Sequence, residues 1–116
     1  MEQSKNVDVR IGEAWKAHYQ GQDKLAIEQF SSLVNEVPDS VDAHWGLALS
    51  YRDAGDLGNA AQSFETAKSM IAARLESQGD EGAERERYVM LSRMVDQQIT
   101  QLAQFSAQRP HAESGD

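Results

Sequence analysis

The segment VDVRIGEAWKAHYQGQDKLAIEQF (7–30) returns 34 positions later as VDAHWGLALSYRDAGDLGNAAQSF (41–64). The shift produces seven identities, which pair Val7 with Val41, Asp8 with Asp42, Gly12 with Gly46, Ala14 with Ala48, Gly21 with Gly55, Ala26 with Ala60 and Phe30 with Phe64. A fixed period of this length indicates that one structural unit occurs at least twice and that neighbouring units stack on each other.

Residues that end and begin helices occur at matching places in the two units. Gly21 and Gly55 fall where a left-handed backbone conformation can end a first helix. Pro38 cannot continue a helix, and either Asp39 or Ser40 can cap the next one. Only 2 Pro and 8 Gly occur in the chain, and strand signals are missing. The pattern predicts helices over 7–20, 23–36, 40–53, 57–77 and 83–107.

The second unit resembles the tetratricopeptide repeat, a family of 34-residue helical hairpins. The residues that match the family pattern are Leu47, Ala48, Tyr51, Ala60, Phe64 and Ala67, while His44 replaces the leading Trp. The first unit matches at Ala14, Ala26, Phe30 and Pro38, but it has Arg10, Glu13 and Ala17 where Trp, Leu and Tyr are usual. A third, degenerate unit follows, in which the first-helix spacing is carried by Tyr88, Leu91, Ser92 and Val95.

The resemblance implies an all-α fold in which antiparallel helix-turn-helix repeats stack as a short right-handed α-solenoid. We expect a single domain over 1–107, with repeat 1 at about 7–40 and repeat 2 at about 41–78. The helix at about 83–107 serves as a third-repeat or capping helix, which a repeat stack needs to cover its end. The polar segment 108–116 is expected to be disordered.

The resemblance also implies a protein-protein interaction adaptor or scaffold that binds a peptide or helix of a partner on its concave face. Position by position, the partner-binding residues carried over are Ile11, Trp15, His18, Trp45, Leu49, Arg52, Val89 and Arg93. An alternative is that the last helix or the N-terminal residues cover Trp15 and Trp45. If they do not, the two rings form an exposed apolar patch of the kind that marks interaction sites.

Charge narrows the class of partner. The formal net charge is −8, with 11 Lys and Arg against 19 Asp and Glu, and such a surface repels nucleic acid and anionic membranes. One subclass of the family grips a peptide carboxylate with Lys, Arg and Asn, but the matching positions here are Ile11, Trp15, Gly46, Glu86 and Met90. A basic or amphipathic protein segment is therefore the expected partner.

No chemistry-bearing constellation stands out, so we expect no catalytic residues, no metal site and no cofactor. The chain has no Cys, and His18, His44 and His111 do not fall at positions that would converge on a metal. No Ser occurs in a nucleophile turn. The absence of Cys and of a leading apolar run favours a cytoplasmic protein.

A second function from a different class is self-association through the last helix. That helix carries Met90, Met94, Ile99 and Phe105, which could complete the unfinished stack in a homo-oligomer. Methionine at helical spacing, as at Met70, Met90 and Met94, more often fills a core than forms a binding surface.

Overall fold

Five α-helices form the structure, a computed structural model that describes residues 6–77 and 82–108. The helices are α1 (Val7–Tyr19), α2 (Asp23–Glu36), α3 (Val41–Asp53), α4 (Leu57–Ser77) and α5 (Ala83–Gln108). The described residues contain no strand, so the all-α prediction is confirmed, and every predicted helix boundary agrees to within one residue. Gln108 ends α5, and the rest of the segment predicted to be disordered, 109–116, lies outside the described residues, as do 1–5 and 78–81.

The helix ends follow the turn chemistry of the sequence. Gly21 and Gly55 have φ angles of 77° and 85°, so each adopts the left-handed conformation that ends a helix. Ser40 caps α3, because its hydroxyl accepts a hydrogen bond of 3.1 Å from the Ala43 N–H. Asn6 caps α1 in the same way, and its side-chain oxygen accepts from the Val9 N–H at 2.9 Å. Tight turns therefore connect α1 to α2 and α3 to α4.

The first core lies where α1 and α2 meet α3. Phe30 and Leu33 of α2 are buried there, together with Ala43 and Leu47 of α3. The Phe30 ring lies directly against the backbone of Gly46, where a Cβ atom would come within 2.3 Å of the ring. The two helical hairpins thus contact each other through an aromatic ring and a glycine.

The second core joins α3, α4 and α5. It contains the buried side chains of Trp45, Phe64, Ile71, Tyr88 and Val95. The extended C-terminal part of α4 contributes Ile71, so the length of this helix, which the sequence predicted, serves to hold α5. The last helix therefore packs chiefly on α4.

Helix α5 runs in the same direction as α3. Near the start of both helices, Arg74 of α4 donates a hydrogen bond to the Tyr88 hydroxyl at 2.8 Å and another to the Asp39 carbonyl oxygen. Further along, Arg52 of α3 donates to the Gln98 side-chain oxygen at 2.8 Å. Because α1 also contacts α3, the helices α1, α3 and α5 lie on a common face of the molecule.

A bidentate ion pair ties the start of α1 to the end of α2. The Arg10 guanidinium donates to the two carboxylate oxygens of Glu36 at 2.6 and 2.7 Å. These hydrogen bonds hold the pKa of Glu36 below its ordinary value. The pair orients the first hairpin, but it stands in solvent and contributes little to stability.

The repeat-related pair Gly12 and Gly46 provides a test of the inter-hairpin contact. We expect Gly46→Ala to destabilise the protein by about 1–3 kcal/mol, because the added methyl group overlaps the buried Phe30 ring. The matched change Gly12→Ala meets no atom within 4 Å and should stabilise by up to about 1 kcal/mol through helix propensity. Urea unfolding followed by circular dichroism measures both. Equal effects at the two positions would contradict the described contact.

Candidate functional site

A groove of about 630 Å³ opens on the face shared by α1, α3 and α5. Its walls come from four helices and the turn before α3, and the lining residues are Asp8, Ile11, Trp15, Tyr19, Asp39, Ser40, Val41, Asp42, Trp45, Arg74, Arg87, Tyr88, Met90, Leu91 and Met94. This volume falls in the range of known ligand-binding clefts. The groove therefore has room for several side chains of a bound molecule.

Aromatic rings line the α1 and α3 side of the groove. Trp15 is half-buried and stacks on Tyr19 with ring centroids 5.8 Å apart. Trp45 is only 8% exposed and packs edge-on against Phe64, at a centroid distance of 5.6 Å. Tyr19 is 77% exposed. Trp45 thus belongs mainly to the core, while Trp15 and Tyr19 present ring surface to the groove.

Methionines form the opposite wall. Met90 is 63% and Met94 43% exposed, and both lie one helical turn apart on the groove side of α5. The expectation that these two methionines fill the core is wrong. Helix α5 packs on α4 along one side only, through Tyr88 and Val95, and this leaves Met90 and Met94 in solvent. Met70 does pack against the core.

The two arginines at the groove are held by neighbouring groups. Arg74 bonds to the Tyr88 hydroxyl and lies over its ring, with the guanidinium carbon 5.7 Å from the centroid. The Arg87 guanidinium carbon also lies over the Tyr88 ring, 5.5 Å from the centroid, and Arg87 donates to Glu84 at 3.3 Å. Both contacts position the arginines beside Tyr88.

Asp42 has an unusual environment for a carboxylate. Although its surface is exposed, the surrounding groove removes part of its water, and this burial raises the pKa of Asp42 above the ordinary value of 3.8. A hydrogen bond from the Trp15 side chain and the positive charge of Arg87 act in the opposite direction and lower the pKa. Burial is the largest of these effects, so the ionised carboxylate is incompletely compensated.

The eight site residues predicted from the sequence do not form one site, because they lie at the groove, towards the far ends of α1 and α3, and on α5 outside the groove. Ile11, Trp15 and Trp45 line the groove. His18, Leu49 and Arg52 lie at the far ends of α1 and α3: His18 Nδ1 is 3.5 Å from Asp53, Leu49 packs on the second core, and Arg52 bonds to Gln98 and Asp53. Val89 and Arg93 do not line the groove, and Arg93 faces a shallow polar depression beside Asp96.

Several lining residues were missed by the sequence prediction although some left a signal. Asp8 and Asp42 are one of the seven repeat identities, and an acidic pair at matching positions of two first helices could have been assigned to the same surface as Trp15 and Trp45. Met90 and Met94 line the groove, each one position after the predicted Val89 and Arg93. The reason is that α5 is rotated about its axis relative to the orientation that the family resemblance implies. No sequence feature indicated that Arg74 lines the groove, since its position depends on the extra turns of α4.

Comparison with known proteins does not assign a family. No protein-family model, no curated protein and no solved structure matches this chain. Among the described residues, no helix combines the length and apolarity needed to cross a membrane. No group of three or more His, Asp or Glu side chains in the same ranges could hold a metal ion.

The raised pKa of Asp42 predicts how an Asp42→Asn variant responds to pH. Because the folded-state pKa lies above the unfolded value, the ionised carboxylate lowers stability at neutral pH, and this cost disappears as the pH falls below both values. The stability of Asp42→Asn relative to wild type should therefore be highest at neutral pH and decrease towards about pH 3. Urea unfolding at both pH values measures it. A relative stability that increases on acidification would contradict the burial of Asp42.

Proposed function

We propose that this chain is a non-enzymatic adaptor or scaffold that holds a peptide or helix of a partner protein in the groove between α1, α3 and α5. In this proposal the helical hairpins form a short right-handed stack of the tetratricopeptide type, with α5 as the capping third unit. The single observation that carries it is the exposure of large apolar side chains, Tyr19, Met90 and Met94, around one common space. We further propose that the protein acts in the cytoplasm.

Several features support a peptide as the bound molecule. The groove is bounded by helices on both sides and remains open to solvent along its rim, where Tyr19 and Met90 are exposed. A helix or extended segment can lay one apolar face into a groove of this kind. Methionine walls adapt to different side chains, which suits recognition of a protein segment.

The energetics predict weak binding by apolar contact alone. Burying Tyr19, Met90 and Met94 completely would contribute roughly 5–9 kcal/mol, and their partial burial in the free protein lowers this sum. Association costs about 4–15 kcal/mol. Trp45 adds little, because it is already buried. Useful affinity therefore requires polar contacts or several copies of the module.

A test of the groove should change exposed residues and leave the core intact. Trp45 is unsuitable, because Trp45→Ala removes a buried ring and costs about 3–5 kcal/mol of stability. Met90 and Met94 are exposed and line the groove. Phe105 provides the matched control, since it is 53% exposed on the same helix but does not line the groove.

We expect the double variant Met90→Glu, Met94→Glu to lose partner proteins in affinity capture from the native cell, by about tenfold or more, because two charges enter an apolar contact. Phe105→Glu should retain them. Circular dichroism checks that both variants keep the wild-type helicity. Capture that is unchanged in the double variant would rule out this groove as the binding site.

Self-association through α5 is the second candidate function. It is favoured by the exposure of Met90, Met94 and Phe105 on one helix, whereas Ile99 is half-buried against the second core. Exposed apolar side chains on one helix can pair with the same helix of a second copy in a symmetric dimer.

If α5 mediates self-association, the average molar mass from light scattering should rise with protein concentration and level off at the mass of a dimer. The variant Phe105→Glu should keep the mass of a monomer. The reason is that a charge at a symmetric interface meets its own copy. A wild-type protein that stays monomeric at millimolar concentration would exclude this function and leave the groove proposal standing.

A further inference from the structure

Carboxylates outnumber guanidinium groups along the groove. Its lining contains Asp8, Asp39 and Asp42 against Arg74 and Arg87, and Arg87 is also paired with Glu84. The whole chain also carries a net charge of −8, which attracts cationic segments over long distances. Charge complementarity therefore favours a positive group in the bound segment.

Two carboxylates stand on the same side of the groove. Asp8 and Trp15 are seven residues apart on α1, which places them on one face of the helix. Asp42 occupies the equivalent repeat position on α3 and interacts with the Trp15 side chain. Asp42 therefore stands at the indole ring, and Asp8 lies about two turns before it along the same face of α1.

The aromatic rings beside these carboxylates suit a cation as well. Trp15 stacks on Tyr19 at an interplanar angle of 26°, and both rings line the groove. A Lys or Arg side chain can place its alkyl stem on such rings and its charged group near a carboxylate. The incomplete compensation of Asp42 in the free protein would be relieved by the incoming charge.

Resting on the proposed function, we propose that the groove selects a protein segment in which a Lys or Arg stands between apolar residues, with the cation on the Asp42 carboxylate beside the Trp15 and Tyr19 rings. The flanking apolar side chains pack on Met90 and Met94. Asp8 adds attraction from the neighbouring helix. This arrangement supplies the polar contact that the apolar walls lack.

The probe for this inference is a phage-displayed library of random peptides of about 15 residues, long enough for four helical turns. Wild type should select peptides with Lys or Arg among apolar residues. Selection on Asp42→Asn should lose that preference. Selection on Glu28→Gln, which removes the same charge from an exposed site on α2 outside the groove, should keep it.

A double-mutant cycle on the best selected peptide then locates the contact. We expect Asp42→Asn to weaken binding about three- to tenfold, and replacement of the peptide's Lys or Arg by Gln to have no further effect on that variant. Glu28→Gln should change the affinity less than twofold. The effect of Asp42→Asn should shrink at high salt. Wild-type circular dichroism and a cooperative thermal transition for each variant confirm that folding is intact.

The outcomes separate the two proposals. Peptides that require Met90 and Met94 but show no basic preference, or no coupling to Asp42, would overturn the inference and leave the groove function standing. A library that yields no peptide, or only peptides indifferent to the Met90→Glu, Met94→Glu double variant, would overturn both. Basic peptides coupled to Asp42 support both.

Discussion

The contact between the Phe30 ring and the Gly46 backbone controls how the two hairpins meet. The ring is fully buried and reaches so close to α3 that no side chain larger than hydrogen fits opposite it. Such a close approach fixes the distance between α2 and α3 and, through the tight turns, the positions of α1 and α4. It also sets α1 beside α3, with Trp15 packed edge-on over Phe30 at 5.1 Å. The orientation of the groove's aromatic side therefore depends on this one contact.

The second hairpin uses its aromatic residues differently from the first. Trp45 closes the core over Phe64, while Trp15 keeps one side open to the groove. The difference arises because α5 packs on α4 and brings Tyr88 and Val95 into the core that contains Trp45. No equivalent helix lies over Trp15 within the described residues. The groove thus has a rigid floor and an adaptable rim of Tyr19 and methionines, an arrangement in which binding need not disturb the fold.

Electrostatics divides the groove into two parts. Both arginines are held beside Tyr88, and Arg87 is also paired with Glu84. On the α1 and α3 side of the groove, Asp8 and Asp42 have no ion pair among the described residues, and burial raises the pKa of Asp42. The apolar contact that Tyr19, Met90 and Met94 offer gives weak affinity by itself. A charged contact at a partly desolvated site adds more to selectivity than to affinity.

The sequence by itself determined the helices and the turns between them. Local chemistry is sufficient there: Gly21 and Gly55 take left-handed conformations, Ser40 caps α3, and the apolar spacing marks each buried face. The resemblance to a repeat family also implied that Ile11, Trp15 and Trp45 share a surface. Only the tertiary structure decided which of these side chains stay accessible. Gly12 and Gly46 are identical in the repeat, yet only Gly46 has a preceding hairpin whose ring presses on it. In the same way the register of α5 exposes Met90 and Met94 in place of Val89 and Arg93, because the rotation of a helix depends on its packing partner, here the extended end of α4, and not on its own spacing.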